Sequence, residues 1–294
     1  ETKSAFENNQ KTIINFSNEL TSNNLDEIQA NDYFITNSKL VYIFSNLKGK
    51  LSSGIDKIPN LVLKNLPEII IMEYCKLFNN MLNNSYFSKE WKLAKVVLLP
   101  KNDKDSSNPK NLRAISLLPN ISKIFEICIN NNITKFCKDR NLINEKQFGF
   151  KYKHSTINAL HLFTSNVNWN WNKKMCTGAC LIDMEKAFDN IWIPGLIFKL
   201  SSFQFPLHQI ILIYNMISNK KFEVFYQKYK SKNTFNIVNG LQQGTVNSPI
   251  LFNIFILDLL NKIENIISFA DDIIIYHADN TIEKINQNLQ KTFN

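Results

Sequence analysis

Two adjacent aspartates, Asp271 and Asp272, interrupt an otherwise apolar run in which Ile266, Ile267 and Phe269 come before them and Ile273, Ile274 and Ile275 after. Burial strips a carboxylate of the water that solvates its charge, so such acids are costly unless paired or bound to a cation. An exposed turn is the alternative reading, because aspartate is common in turns. A third acid, Asp183, follows the short apolar segment Met175 to Ile182 and shifts the balance toward a cation. If that segment is a strand beside a hairpin bearing Asp271 and Asp272, three carboxylates converge on one point. A few carboxylate oxygens, with positions left open for phosphates, suit Mg²⁺. Two such ions about 3.5 to 4 Å apart can clamp an in-line phosphoryl displacement. Polymerases and nucleases share that chemistry, so the acids alone leave the reaction open.

The acids need elements to hold them. NIISFADDIIIYHA reads as a tight hairpin, and MCTGACLI as a buried strand ending on Asp183. After the hairpin, Asn280 with Glu283 resembles a capping box for a short helix with Ile282, Ile285 and Leu289 on one stripe. In GLQQGTVNSP, Ser248 can cap a helix whose first-turn residue is Pro249, and ILFNIFILDLLNKI has the all-round apolar pattern of a buried helix. Phe222 to Tyr226 and Phe235 to Ile237 alternate around KSKN, which predicts a surface hairpin. Farther upstream, a helix is expected from Lys39 to Leu47, a break at SSGIDKIP, a helix from Leu61 onward and a strand from Trp91 to Pro100. A polar turn, a strand in LRAISLLP and a helix in NISKIFEICINNNITKFCK complete the series. The mixture is α+β. Residues 1 to 35 read as a lead-in segment, and no repeat or flexible linker divides residues 36 to 294.

Composition narrows the function. With 294 residues, 44% of them apolar, the chain can bury a sizeable core. No stretch reaches the roughly 18 uncharged apolar residues of a spanning helix, and ETKSAFENNQ is too polar for a signal peptide. An intracellular protein without membrane partners is expected, nuclear or cytoplasmic alike. Five cysteines form no CxxC pair and read as reduced, mostly buried thiols, and four histidines lack the i, i+4 spacing of a helical zinc site. The 34 basic and 25 acidic residues leave a net charge of +9, which favours a polyanionic partner. Arg113 and Arg140 are the only arginines.

Across the chain from about Gly54, ordered blocks resemble the reverse transcriptases of non-LTR, LINE-like retrotransposons. SSGIDKIPNLVLK, PKNDKDSSNPKNLRAISLLPNISKIFE and QFGFKYKHST are similar to the family's amino-terminal blocks, and LIDMEKAFDNI, GLQQGTVNSPILFNIF and FADD to its motifs A, B and C. The resemblance implies a right-hand polymerase with fingers and palm and an antiparallel palm sheet. Against the family pattern the chain reads as a fragment truncated before motif D, the primer grip and the thumb, all of which would follow Asn294, with no endonuclease domain before residue 1.

The same resemblance implies that Asp183, Asp271 and Asp272 bind two Mg²⁺ ions, with Mn²⁺ as a possible substitute, and that Asp189 is structural. Phe188 would exclude a ribose 2′-hydroxyl, Gln243 and Gly244 would lie against the incoming nucleotide, and Lys101 and Arg113 would grip its triphosphate. The implied partners are an RNA template, a DNA primer and deoxynucleotides. Three positions depart from the family pattern: Phe269 stands for tyrosine, and Gln242 and Ala114 stand for prolines. An RNA-dependent RNA polymerase and a catalytically inactive, nucleic-acid-binding remnant are the alternatives.

Overall fold

Proline and polar capping residues set many element boundaries in the computed structural model, which describes residues 11–19, 33–100, 107–108, 111–227 and 229–293. Helix α1 covers residues 11–19. Thr36 accepts the Lys39 N–H at 3.3 Å and so caps α2 (Asn37–Ser45). Pro67 ends the next helix early, so the single helix expected from Leu61 is two, α3 (Asn60–Lys64) and α4 (Glu68–Asn83).

The chain forms two compact units, each built from two separate stretches of sequence. Glu1–Ile133 joins Phe188–Ser248 in the first, and Thr134–Ala187 joins Pro249–Asn294 in the second.

In the first unit, β1 (Leu93–Pro100) pairs antiparallel with β2 (Leu112–Leu117) and parallel with β4 (Lys220–Tyr226). Strands β5 (Tyr229–Lys230) and β6 (Phe235–Ile237) both pair antiparallel with β4. The sheet is therefore mixed. The expected hairpin exists, with the Phe222 and Phe235 rings stacked at 5.3 Å, but its first strand lies inside this sheet rather than in a surface ribbon. An aromatic cluster of Phe78, Phe87, Trp91 and Phe125, with ring centroids 4.9 to 6.2 Å apart, ties α4 to α5 (Asn120–Asp139). Each such pair adds roughly 1 kcal/mol beyond the area it buries.

In the second unit α6 (Thr156–Asn172) precedes β3 (Cys176–Asp183). The first unit resumes with α7 (Ile193–Ser202) and α8 (Leu207–Ile217). Helix α9 (Ser248–Phe255), α10 (Leu257–Lys262), β7 (Ile266–Phe269), β8 (Asp272–Asp279) and α11 (Ile282–Phe293) follow. Strands β3, β8 and β7, in that order, make an antiparallel sheet. Adjacent residues on β8 point to opposite faces. The Tyr276 hydroxyl accepts from Asn166 of α6 at 2.8 Å, whereas His277 lies 3.0 Å from Thr292 of α11. Phe148, Ala159, Ile267 and Tyr276 form the core on the α6 side.

Several expectations need correction. Strand β3 is not buried: it is the sheet's outer strand, and Leu181 is 77% exposed. The helix expected to run unbroken past Pro249 is interrupted at Ile256, where ψ is 0°, and becomes two. Thr245, not Ser248, accepts the helix-opening N–H of Ser248 at 3.3 Å, while the Ser248 hydroxyl donates to the Gln242 carbonyl. At α11 the capping role falls to Thr281, which accepts from Lys284 N–H at 3.4 Å, one residue after Asn280. Cys75, Cys128 and Cys137 are buried free thiols, and burial pushes Cys128 and Cys137 up to about 12. Among the described residues no helix is long and apolar enough to cross a membrane.

Candidate active site

The second unit carries the three acids. In the β3–β8 ladder Asp183 lies directly opposite Asp272, and across β7 Phe269 lies opposite the same residue. Opposed residues share a face, so the Asp183 and Asp272 Cβ atoms stand about 5 Å apart. Both side chains are exposed, and Asp271, in the turn just before β8, is partly buried. Like charges facing each other on a ladder repel, and no ion pair neutralises any of the three among the described residues. The sheet thus brings two acids into register. The third sits one residue away on the turn. No three His, Cys, Asp or Glu side chains among the described residues are close enough together to hold a metal ion, so the expected three-way convergence is not preformed.

What holds this turn was not legible as function in the sequence. Ala270 adopts φ +58°, unusual for a residue with a side chain, and the buried Gln147 wraps around it. Gln147 Oε1 accepts N–H donors from Gly149 at 2.7 Å and Ala270 at 3.0 Å. Its Nε2 donates to Ser268 Oγ at 3.0 Å and the Ala270 carbonyl at 3.3 Å. Backbone bonds from Phe148 N–H to the Ser268 carbonyl and from Ser268 N–H to the Lys146 carbonyl, both 2.8 Å, add a strand-like bridge. Gly149 must be glycine: a Cβ there would lie 2.1 Å from Ala270 N. The QFGF block therefore clamps the FADD turn. A polar glutamine inside an apolar block was the available signal.

The first unit carries the other candidates. Phe188 is half-buried, and its carbonyl accepts the Leu241 N–H at 2.8 Å. Asp189 is exposed, with its backbone packed against Gly240. Gln243 and Gly244 are exposed on the following loop, while Leu241 and Gln242 are buried beneath them. Gly244 has φ +97°, and a Cβ there would meet the Ser116 carbonyl of β2 at 2.8 Å. Gln242, at a position where the resemblance expects proline, is buried with neither end of its amide bonded among the described residues. The loop is nevertheless tied down, since Thr245 and Ser248 hydroxyls both donate to the Gln242 carbonyl, at 3.2 and 2.9 Å. Arg113 lies on β2 opposite Leu99. Lys101 lies outside the described residues.

A family model described as reverse transcriptase (RNA-dependent DNA polymerase) matches residues 99–294. The chain is 29% identical over 266 residues to the probable RNA-directed DNA polymerase from transposon BS of Drosophila melanogaster, a match covering 86% of this chain and 29% of that protein. It is 31% identical over 267 residues to the RNA-directed DNA polymerase from mobile element jockey of Drosophila funebris, covering 87% and 29% respectively. The similarity extends to the Pol polyprotein from the type-1 retrotransposable element R1 of Bradysia coprophila, 27% identical over 201 residues, which cover 67% of this chain and 19% of that one. The chain spans about 29% of the length of the first two relatives. Because the family model runs from residue 99 to residue 294 and takes in both the clamped acidic hairpin and the glycine-bearing loop, the chain belongs to the reverse transcriptase family.

Proposed function

We propose that this chain carries out RNA-directed DNA synthesis for a non-LTR, LINE-like element, joining deoxynucleotides to a primer 3′-hydroxyl. The observation that carries the reading is the in-register facing of Asp183 and Asp272 beside Asp271, on a turn that Gln147 and Gly149 hold in place. Opposed, exposed carboxylates without a basic partner suit divalent cations, and open oxygen-ligand sites suit Mg²⁺, with Mn²⁺ as a substitute. When bound, two such ions supply charge neutralisation and Lewis acidity at the reacting phosphate.

The chain's own residues divide the remaining work. Asp183, Asp271 and Asp272 are the ligands. Phe188 packs where a ribose 2′-hydroxyl would otherwise fit, and so selects deoxynucleotides. Gln243 and the close backbone at Gly244 lie against the incoming nucleotide. Lys101 and Arg113 hold its triphosphate through fixed positive charge, with Arg113 capable of a bidentate grip. The 3′-hydroxyl oxygen attacks the α-phosphorus, the bond to the bridging oxygen breaks and pyrophosphate leaves. Residues 36–294 act as one domain with fingers and palm interleaved, behind the lead-in of residues 1–35, inside the cell.

Asp183→Asn should abolish primer extension by the protein carrying this chain and leave template binding largely intact. Near-normal extension by that variant would sink the assignment. Supplying ribonucleotides in parallel tests the specificity, since efficient incorporation of them would favour an RNA polymerase.

A further inference from the structure

The loop that presents Gln243 and Gly244 is bonded from behind by a buried charge. Glu126, in the first half of α5, is 0% exposed, and its Oε2 accepts the Val246 N–H at 2.7 Å. Its Oε1 accepts from Ser122 Oγ at 3.4 Å. The opposite charge is Lys220, only 3% exposed at the start of β4. Lys123 of α5 also acts on Glu126, and Lys92 acts on Lys220. Burial pushes the Glu126 carboxyl up and the Lys220 ammonium down, while each charge opposes the shift of the other.

A neutral acceptor could hold one backbone N–H at a lower desolvation cost than a carboxylate. A charge-assisted bond is roughly twice as strong, and here it acts two residues beyond Gly244, whose φ of +97° keeps it close to β2. The other end of the loop is held by neutral backbone bonds, from Gly240 N–H to the Ile191 carbonyl at 2.9 Å and from Leu241 N–H to the Phe188 carbonyl at 2.8 Å. Release at Val246 would leave Gln243 and Gly244 anchored mainly on the Phe188 side and by the hydroxyl bonds to Gln242.

We infer that Glu126 is a positioning residue for nucleotide binding, fixing the 241–246 loop through the Val246 amide in the conformation that presents Gln243 and Gly244. The inference rests on the assignment of those two residues to the incoming nucleotide. Its distinguishing property is that the acceptor, not the fold or the charge alone, sets the loop.

Glu126→Met combined with Lys220→Met removes both buried charges together, which protects folding, and removes the acceptor. Amide hydrogen exchange at Val246 should then accelerate about tenfold to a hundredfold, the value of one charged hydrogen bond. The KM for deoxynucleotide should rise by a similar factor, with primer–template affinity unchanged. Glu126→Gln combined with Lys220→Met restores a neutral acceptor and should recover about half of each loss on a logarithmic scale. Wild-type exchange in the Met–Met variant would overturn the inference, as would equal KM shifts in the Met and Gln variants. An unaltered protein that extends no primer, with the exchange difference intact, would overturn the polymerase reading and leave the loop tether standing.

Discussion

Gln147 satisfies four polar groups around one turn, which makes it the side chain on which the acidic hairpin most depends. Leucine has nearly the same volume but none of the bonding. Gln147→Leu would strand the Gly149 and Ala270 N–H groups in a buried setting, at about 1 to 3 kcal/mol for each group left unpaired. We expect a loss of about 3 kcal/mol in urea unfolding, together with a drop in primer extension. An unchanged unfolding midpoint would mean that the turn holds itself. Gln147→Glu keeps the acceptor and loses the donor, so it should fall between the two. Asp183 and Asp272 present the reverse case. Their opposition is unfavourable for the ladder, and under the proposed function a bound cation would offset it.

At the scale of elements, α8 contains a pH-sensitive contact. His208 sits in its first turn with its ring 5.4 Å from Tyr33 and its Nε2 without a hydrogen-bond partner among the described residues, and burial holds the ring below the ordinary imidazole value near 6.5. The folded state therefore takes up a proton less readily than the unfolded chain. Above pH 6.5 both states leave the ring neutral and it costs nothing; as pH falls below 6.5 the unfolded state gains the proton first and stability declines. His208→Phe should flatten that decline between roughly pH 6.5 and 5, as measured by urea midpoints, and an identical decline in both proteins would assign it elsewhere.

Elements whose signals are local were readable from the sequence. The apolar runs either side of Asp271 and Asp272 marked the hairpin, whereas Pro67, which splits the helix expected from Leu61, was a local signal passed over. The Asp183 register with Asp272 was conditional on pairing, which depends on residues far apart in the chain. The exposure of β3 was missed because an apolar strand at a sheet edge looks like one at its centre. Gln147 and Glu126 were missed because one buried polar residue carries no period, and the partners that give each its role, Ser268 and Ala270 for Gln147 and Val246 for Glu126, lie 120 or more residues away.

For the whole molecule, charge is the most general feature. From Lys146 to Ile182 the chain has no acidic residue, and exposed Trp169 and Trp171 lie within that stretch. Together with the net charge of +9, this predicts that RNA affinity falls by a factor of ten or more as salt rises from about 50 to 200 mM, with log affinity linear in log salt concentration. A filter-binding titration whose affinity ignored salt would refute phosphate contact as the main attraction. The two units bear on a different matter, since each takes its strands from two separated stretches of the chain. On the ribosome, β1 emerges long before β4 can join it, and β3 long before β8. A stop codon upstream of β8 leaves at least one sheet with an unpaired apolar strand, so truncated copies should be clients of chaperones and proteases rather than partial enzymes.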